Sequence, residues 1–285
     1  MAPGAKRKAA SPPTIGLALS GGGARGLAHI PVVEALDELG LKPAAIAGTS
    51  IGAIVGAACA AGMSGAEMRA YATELLRLRA EVFARLWKVR PRGMRDLMAG
   101  VGATFGQFDA ARLFEEFLPK TLPGDFAGLA VPLRLVATDF YGWQEVILDH
   151  GPLIPAIAAS AALPLLFRPV VIGGRVLVDG GMCNPLPFDI LADECDIVIA
   201  VDVGGGPVGE GSRVPGPTET VFGAMQLFSQ SILREKMRWA RPPEIFVRAP
   251  QDGFRTLDFL KVGAIIKSAE PLKDEIKKKL ERALA

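Results

Sequence analysis

A serine stands between two glycines in Gly48-Thr49-Ser50-Ile51-Gly52, after the apolar run Ala44-Ala45-Ile46-Ala47 and before a small-residue helical pattern from Ala53 to Met63. A G-x-S-x-G turn between a strand and a helix is the setting in which a serine hydroxyl becomes a nucleophile. Gly48 and Gly52 permit the sharp turn and the close approach of neighbours. The free N–H groups at the helix start favour negative charge beside the hydroxyl. Such a nucleophile needs a base, and the chain has two histidines, His29 and His150. The common order is serine, then Asp or Glu, then His, and no histidine follows His150. His29 falls just inside a helical pattern and reads as packed or solvated. His150 follows Asp149 at the end of a strand pattern and resembles a turn residue. The base therefore reads as a carboxylate. Asp179 is the best candidate, because the apolar run Val176-Leu177-Val178 delivers it and Gly180-Gly181 lets another backbone come close. A turn-capping aspartate is the competing reading of the same residue.

A second group is Ser20-Gly21-Gly22-Gly23-Ala24-Arg25-Gly26, which contains G-x-G-x-x-G after a strand pattern and before a helix. Alone, this is a dinucleotide-binding signal, but such a site wants an acidic residue about 20 positions on. The second strand here ends in Gly48-Thr49-Ser50, and no acid occurs from Lys42 to Gly65. An oxyanion hole is the other reading, since consecutive glycines can aim several N–H groups at one point, each contributing roughly 3–4 kcal/mol to a developing oxyanion. A purely structural tight turn is the third.

These groups need elements to carry them. Ile15–Leu19 reads as a buried strand, and Ala28–Leu39 as a helix with Pro31 in its first turn and Gly40 as its stop. Then follow the second strand, the serine turn and the second helix. A β-loop-α-β-turn-α order predicts a parallel sheet covered by helices. Further strands are predicted at 133–137, 145–148, 170–178, 197–202 and 245–248. Helices are predicted at 153–162, ending near Pro164, and from about Thr220 to Arg238. Residues 64–108 read as helical and then irregular, and 204–217 as a mobile loop rich in Gly and Pro. The last helix places Leu272, Ile276, Leu280 and Leu284 on one face.

The chain has 285 residues, half of them hydrophobic, and a net charge of +2. That composition predicts a globular protein and argues against a dedicated nucleic-acid binder. Cys59, Cys183 and Cys195 are an odd number in a long chain, which favours a reducing, cytoplasmic setting over a disulfide framework. Residues 1–13 read as a disordered basic tail without the apolar core of a signal peptide. Residues 43–66 are uncharged and long enough to span a bilayer, but their Ala, Gly, Ser and Thr transfer weakly into hydrocarbon, so no transmembrane helix is expected. Neither cofactor nor metal-ligand spacing is apparent. Between residues 77 and 98, Arg77, Arg79, Arg85, Lys88, Arg90, Arg92 and Arg95 mix with Phe83, Leu86, Trp87 and Met94. This segment reads either as a helix packed by its apolar face or as a peripheral membrane-docking surface.

Taken together, the blocks Ser20–Gly26, Gly48–Gly52, Ala159-Ser160-Ala161-Ala162-Leu163-Pro164 with Phe167-Arg168-Pro169-Val170, and Asp179-Gly180-Gly181 with Asn184-Pro185 resemble the bacterial-type patatin-like phospholipases. Ala137-Thr138-Asp139 is similar to a shorter block. The resemblance runs from about Thr14 to Val203 and more loosely onward, thinning at 75–109 and after Gly204. It implies a three-layer α/β/α sandwich with a mostly parallel sheet. With no internal repeat and no clear linker, 14–285 reads as one domain, with 218–285 as its helical completion. The resemblance also implies hydrolysis of lipid acyl esters, with phospholipid or lysophospholipid as substrate. By matching position, Ser50 becomes nucleophile, Asp179 base, and Gly21, Gly22 and Gly23 the oxyanion hole with Arg25 beside it. Gly26, Gly48, Gly52, Gly180 and Gly181 support these motifs. Acyl transfer from the same site, and a lipid-binding regulatory protein that keeps the fold without turnover, are the rival functions. No feature of the sequence specifies an oligomeric state.

Overall fold

A computed structural model describes residues 12–77, 108–209, 212–250 and 253–284. Its sheet is built from β1 (Ile15–Leu19), β2 (Ala45–Thr49), β3 (Leu133–Asp139), β4 (Gln144–Leu148), β5 (Val170–Ile172), β6 (Arg175–Asp179), β7 (Ile197–Asp202) and β8 (Ile245–Arg248). β8, β7, β1, β2 and β3 run parallel in that spatial order. β1 lies at the centre, and its sequence Ile-Gly-Leu-Ala-Leu is buried on both faces, as a covered parallel strand must be.

β3 carries the arrangement that matters for chemistry. Its residues 135–139 pair antiparallel with β4 along one edge. The opposite edge is shared: residues 133–136 pair with β2, and residues 137–139 pair antiparallel with β6. β2 and β6 therefore run toward each other along one edge of β3. Their C-terminal residues, Thr49 and Asp179, occupy the consecutive registers Val136 and Ala137.

The helices are α1 (His29–Glu38), α2 (Ile51–Ala60), α3 (Gly65–Arg77), α4 (Ala110–Phe117), α5 (Leu153–Ser160), α6 (Pro217–Trp239), α7 (Val262–Ser268) and α8 (Pro271–Leu284). Ile15, Leu17 and Leu19 of β1 join a core with α1, α2, α5, α7 and α8. Ala18, on the other face, joins a smaller core with Leu186, Phe188, Leu191 and Leu233 of α6. Layers thus cover both faces of a mixed, mostly parallel sheet. Among the described residues no helix is long and apolar enough to cross a membrane.

Several sequence expectations are refined. The first helix is preceded by a 3-10 turn over Gly23–Ala28, and Pro31 is the third residue of α1. There its missing N–H would have had no intrahelical acceptor anyway. The expected single strand over 170–178 is instead the hairpin β5–β6, turned at Gly173-Gly174, both with positive φ. Two adjacent glycines are a two-residue hairpin signal, and they outweighed the apolar run around them. In α8, Leu272, Ile276 and Leu280 are buried while Leu284 is exposed. The basic stretch at 77–98 lies outside the described residues, apart from Arg77 at the end of α3.

Candidate active site

Ser50 ends β2 and begins α2. Its backbone sits at φ 55°, ψ −120°, a left-handed conformation rare for a residue with a Cβ. Holding it there costs about 1–3 kcal/mol, which the surroundings must supply. One restraint is Ser160 of α5, fully buried, whose Oγ accepts the Ser50 N–H at 3.0 Å and donates to the Val136 carbonyl at 2.6 Å. Another is Thr49, whose Oγ1 donates to the Asn184 carbonyl at 2.8 Å. Gly52 completes the elbow: a Cβ there would lie 2.2 Å from the Leu19 carbonyl oxygen, so α2 can approach the end of β1 only with glycine at this position.

The Ser50 hydroxyl donates to Asp179 Oδ2 at 2.6 Å, although the residues are 129 apart in sequence. This is the meeting that the shared edge of β3 enforces. Asp179 is held at every polar atom. Its N–H donates to the Ala162 carbonyl (3.1 Å), its carbonyl accepts from Thr138 Oγ1 (3.0 Å), and its Oδ1 accepts the Gly181 N–H (2.8 Å). The carboxyl is buried, with 3% of the residue exposed. Burial pushes its pKa up to about 6, against the opposing hydrogen bonds from Ser50 and Gly181.

The glycine loop borders the same pocket as Ser50 and Asp179. A Cβ on Gly21 would lie 3.3 Å from Ser50 Cβ, so the loop passes directly beside Ser50. The Gly21 N–H is engaged by the Pro185 carbonyl at 3.0 Å. Among the described residues, neither the Gly22 nor the Gly23 N–H donates to a backbone carbonyl, which leaves those two as the loop's available donors. Gly23 has φ +61°, and the Thr256 carbonyl fills the space a side chain would need. Arg25 is buried at the pocket wall, with Nε donating to the Gly22 carbonyl at 3.3 Å. Gly26, Gly48 and Gly180 are in contacts so close that an added Cβ would fall within 2.2–2.5 Å of a neighbour.

Among the described residues, neither histidine hydrogen-bonds to Ser50 or Asp179. His29 is fully buried, with Nε2 against the Ser20 carbonyl at 2.9 Å, and burial pulls its pKa down to about 4, so it is neutral at physiological pH. His150 is exposed and pairs with Asp149 at 2.7 Å. Among the described residues no cluster of three or more His, Cys, Asp or Glu is placed to hold a metal.

The segment Ala159–Pro164, one of the blocks that carry the resemblance, touches both Ser50 and Asp179: Ser160 takes the Ser50 N–H and Ala162 takes the Asp179 N–H. Ser160→Ala should leave the Ser50 N–H without its partner in a partly buried position, a cost of about 1–3 kcal/mol. The expected outcome is a lower melting temperature and a kcat reduced by roughly tenfold or more with KM little changed. Steady-state kinetics and thermal unfolding of the purified variant check this.

The family model described as Patatin-like phospholipase matches residues 17–192, a span that holds the glycine loop, the serine elbow and Asp179. Uncharacterised NTE family proteins of Mycobacterium bovis and Mycobacterium tuberculosis are 36% identical over 211 residues, 73% of this chain and 54% of theirs. Lysophospholipase nte1 of Aspergillus fumigatus is 28% identical over 320 residues, 95% of this chain and 20% of the fungal protein. The chain thus spans about half the length of the mycobacterial relatives. The crystal structure of VipD from Legionella pneumophila aligns over 94% of this chain and 67% of that one, with a TM-score of 0.47 and 15% identity. With more than half of its length inside the family model, and over a third of the aligned residues shared with the mycobacterial proteins, this chain belongs to the patatin-like phospholipase family.

Proposed function

We propose that the chain is a lipid acyl hydrolase that cleaves phospholipid or lysophospholipid esters through an acyl-enzyme on Ser50, with Asp179 as its sole general base. The observation that carries this is the 2.6 Å hydrogen bond from the Ser50 hydroxyl to a buried carboxylate, made at a left-handed elbow. Asp179 accepts the Ser50 proton as Oγ attacks the acyl carbonyl carbon. The Gly22 and Gly23 N–H groups receive the oxyanion. Collapse breaks the ester bond, and protonated Asp179 returns the proton to the leaving alkoxide. Water then attacks the acyl-serine, Asp179 takes a proton from it, and Ser50 is regenerated as the fatty acid leaves. The raised pKa suits a group that must both take and give a proton near neutrality.

A fluorophosphonate probe should label the protein once, at Ser50, and labelling should stop in Ser50→Ala. Labelling at another residue, or ester hydrolysis that survives Ser50→Ala, would refute the assignment. The pH profile follows from the direction of the Asp179 shift. A base works when ionised, so kcat/KM for a short-chain ester should fall as pH drops through about 6. A limb near the ordinary aspartate range would show that the carboxyl is not buried as described.

A further inference from the structure

Lys236 is charged, has no place in the chemistry above, and is nevertheless 3% exposed. It lies near the end of α6, which forms part of the pocket wall through Phe222, Met225 and Leu233. An ammonium has three hydrogens to donate, and three acceptors take them. They are Asn184 Oδ1 at 2.6 Å, the Leu186 carbonyl at 3.0 Å and the Asp189 carboxylate. The Phe188 ring lies 4.6 Å from Nζ. Burial lowers the Lys236 pKa, and Asp189 and Glu145 oppose that.

The residues it grips form the connection that follows Asp179. Asn184 is satisfied throughout. Its amide nitrogen donates to Glu145 (2.9 Å) and Asp189 (3.2 Å), its N–H donates to the Gly180 carbonyl (2.9 Å), and its carbonyl accepts from Thr49 Oγ1 (2.8 Å). The next carbonyl, of Pro185, accepts the Gly21 N–H at 3.0 Å. Thr49 is the residue before Ser50, and Gly21 opens the glycine loop. Two adjacent carbonyls thus hold the two halves of the site, and one buried ammonium anchors the segment that bears them.

We propose that Lys236 is a positioning residue: from α6 it fixes the 184–186 connection and so sets the placement of the serine elbow relative to the glycine loop. Neither Lys236 nor the Asn184 side chain touches Ser50, so the influence passes through backbone carbonyls. Stability alone is a weak reason for such a cation, because a buried ion pair replaced by apolar groups of similar volume is often neutral or more stable. Its use lies in geometry, where a shift of about 1 Å remote from the reacting atoms can cost roughly a hundredfold in rate.

The catalytic part of this inference rests on Ser50 and Asp179 acting as proposed, so the test has two independent readouts. The variants are Lys236→Met, which keeps the chain length, and Thr49→Val, which cuts the elbow link without burying a charge. Should Lys236→Met fold poorly, Lys236→Met with Asp189→Asn leaves no lone buried charge and serves in its place. In the first readout, amide hydrogen exchange at Gly21 and across residues 48–52 should quicken by about tenfold or more in the lysine variant while β7 stays protected. In the second, kcat per serine titrated with the fluorophosphonate probe should fall roughly ten- to hundredfold with KM nearly unchanged. Adding Thr49→Val to Lys236→Met should cost little more at the elbow, since both cut one link. A lysine that only stabilises the fold would lower the melting temperature but leave Gly21 exchange and kcat per titrated serine as in the wild type. That result would overturn the inference. If the unmodified protein neither turns over ester nor takes the probe at Ser50, the proposed function fails, while the exchange measurement still decides the coupling.

Discussion

Ser50→Ala and Asp179→Asn are each expected to lower turnover of a short-chain nitrophenyl ester by roughly 10⁴-fold or more, the scale seen when one member of a catalytic unit is removed. His150→Ala should keep wild-type activity, because that side chain is exposed and pairs only with Asp149. His29→Ala should lower the melting temperature, because it empties a fully buried site, yet retain most of its turnover per folded molecule. If loss of either histidine in a folded protein matched the loss of Ser50, a dyad without histidine would be wrong. Asp179→Asn should also separate activity from stability. Asp179 has its folded-state pKa raised to about 6 by burial. Its contribution to stability is therefore fully present below the unfolded aspartate pKa and is lost as pH rises through about 6. A rise from 3.8 to about 6 corresponds to about 3 kcal/mol by linkage. Asparagine carries no charge to bury, so Asp179→Asn should melt higher than the wild type at pH 8, and the two should converge near pH 4. Thermal unfolding at the two pH values measures this.

Gly52→Ala is expected to be the most damaging single-methyl change in the elbow. The added carbon would lie 2.2 Å from the Leu19 carbonyl oxygen and 2.7 Å from that of Ser20. Both are backbone atoms at the end of the central strand and cannot swing aside as a side-chain tip would. Relief requires α2 to move off β1, which shifts Ser50 as well. A loss of about 4 kcal/mol or more, or failure to yield soluble protein, is the expected scale for such overpacking. Gly263→Ala is the matched control, because open space surrounds that position in α7. It should express and melt like the wild type. Soluble yield and calorimetry of the two variants decide the matter. A Gly52→Ala protein with wild-type melting and turnover would mean that the approach of α2 to β1 is looser than described.

Much of the site can be read from the sequence because its signals are local. The elbow needs five residues, and the glycine loop needs seven. Asp179 could be singled out because an apolar run ends at it and two glycines follow. The strand and helix order of the first sixty residues is likewise a matter of nearby apolar spacing. What escaped depends on distance along the chain. Ser160 looks like one small residue among alanines, and nothing nearby reveals that it meets Ser50, 110 positions earlier. Lys236, between Arg234 and Arg238, reads as a solvent-facing lysine on an amphipathic helix, whereas its partners lie 47 to 52 residues away. Gly21 belonged to the expected oxyanion hole as a residue type, but its N–H is claimed by Pro185, which only the folded chain brings near. The hairpin at 170–178 was within reach, since Gly173-Gly174 marks it, but the apolar run masked the turn.

The head-on arrival of β2 and β6 along one edge of β3 has a consequence for anyone who would re-engineer this site. The gap between the Ser50 hydroxyl and the Asp179 carboxylate is quantised. Side chains on a strand alternate between faces, so inserting one residue into β6 would turn its terminal carboxylate to the opposite side of the sheet. Inserting two would restore the face but carry the acid about 7 Å along the edge. No gradual lengthening lies between these steps, in contrast to a base mounted on a loop, whose reach can be adjusted in small increments. A wider spacing, such as a histidine placed between Ser50 and Asp179 would need, must therefore come from a different strand register and not from a longer turn.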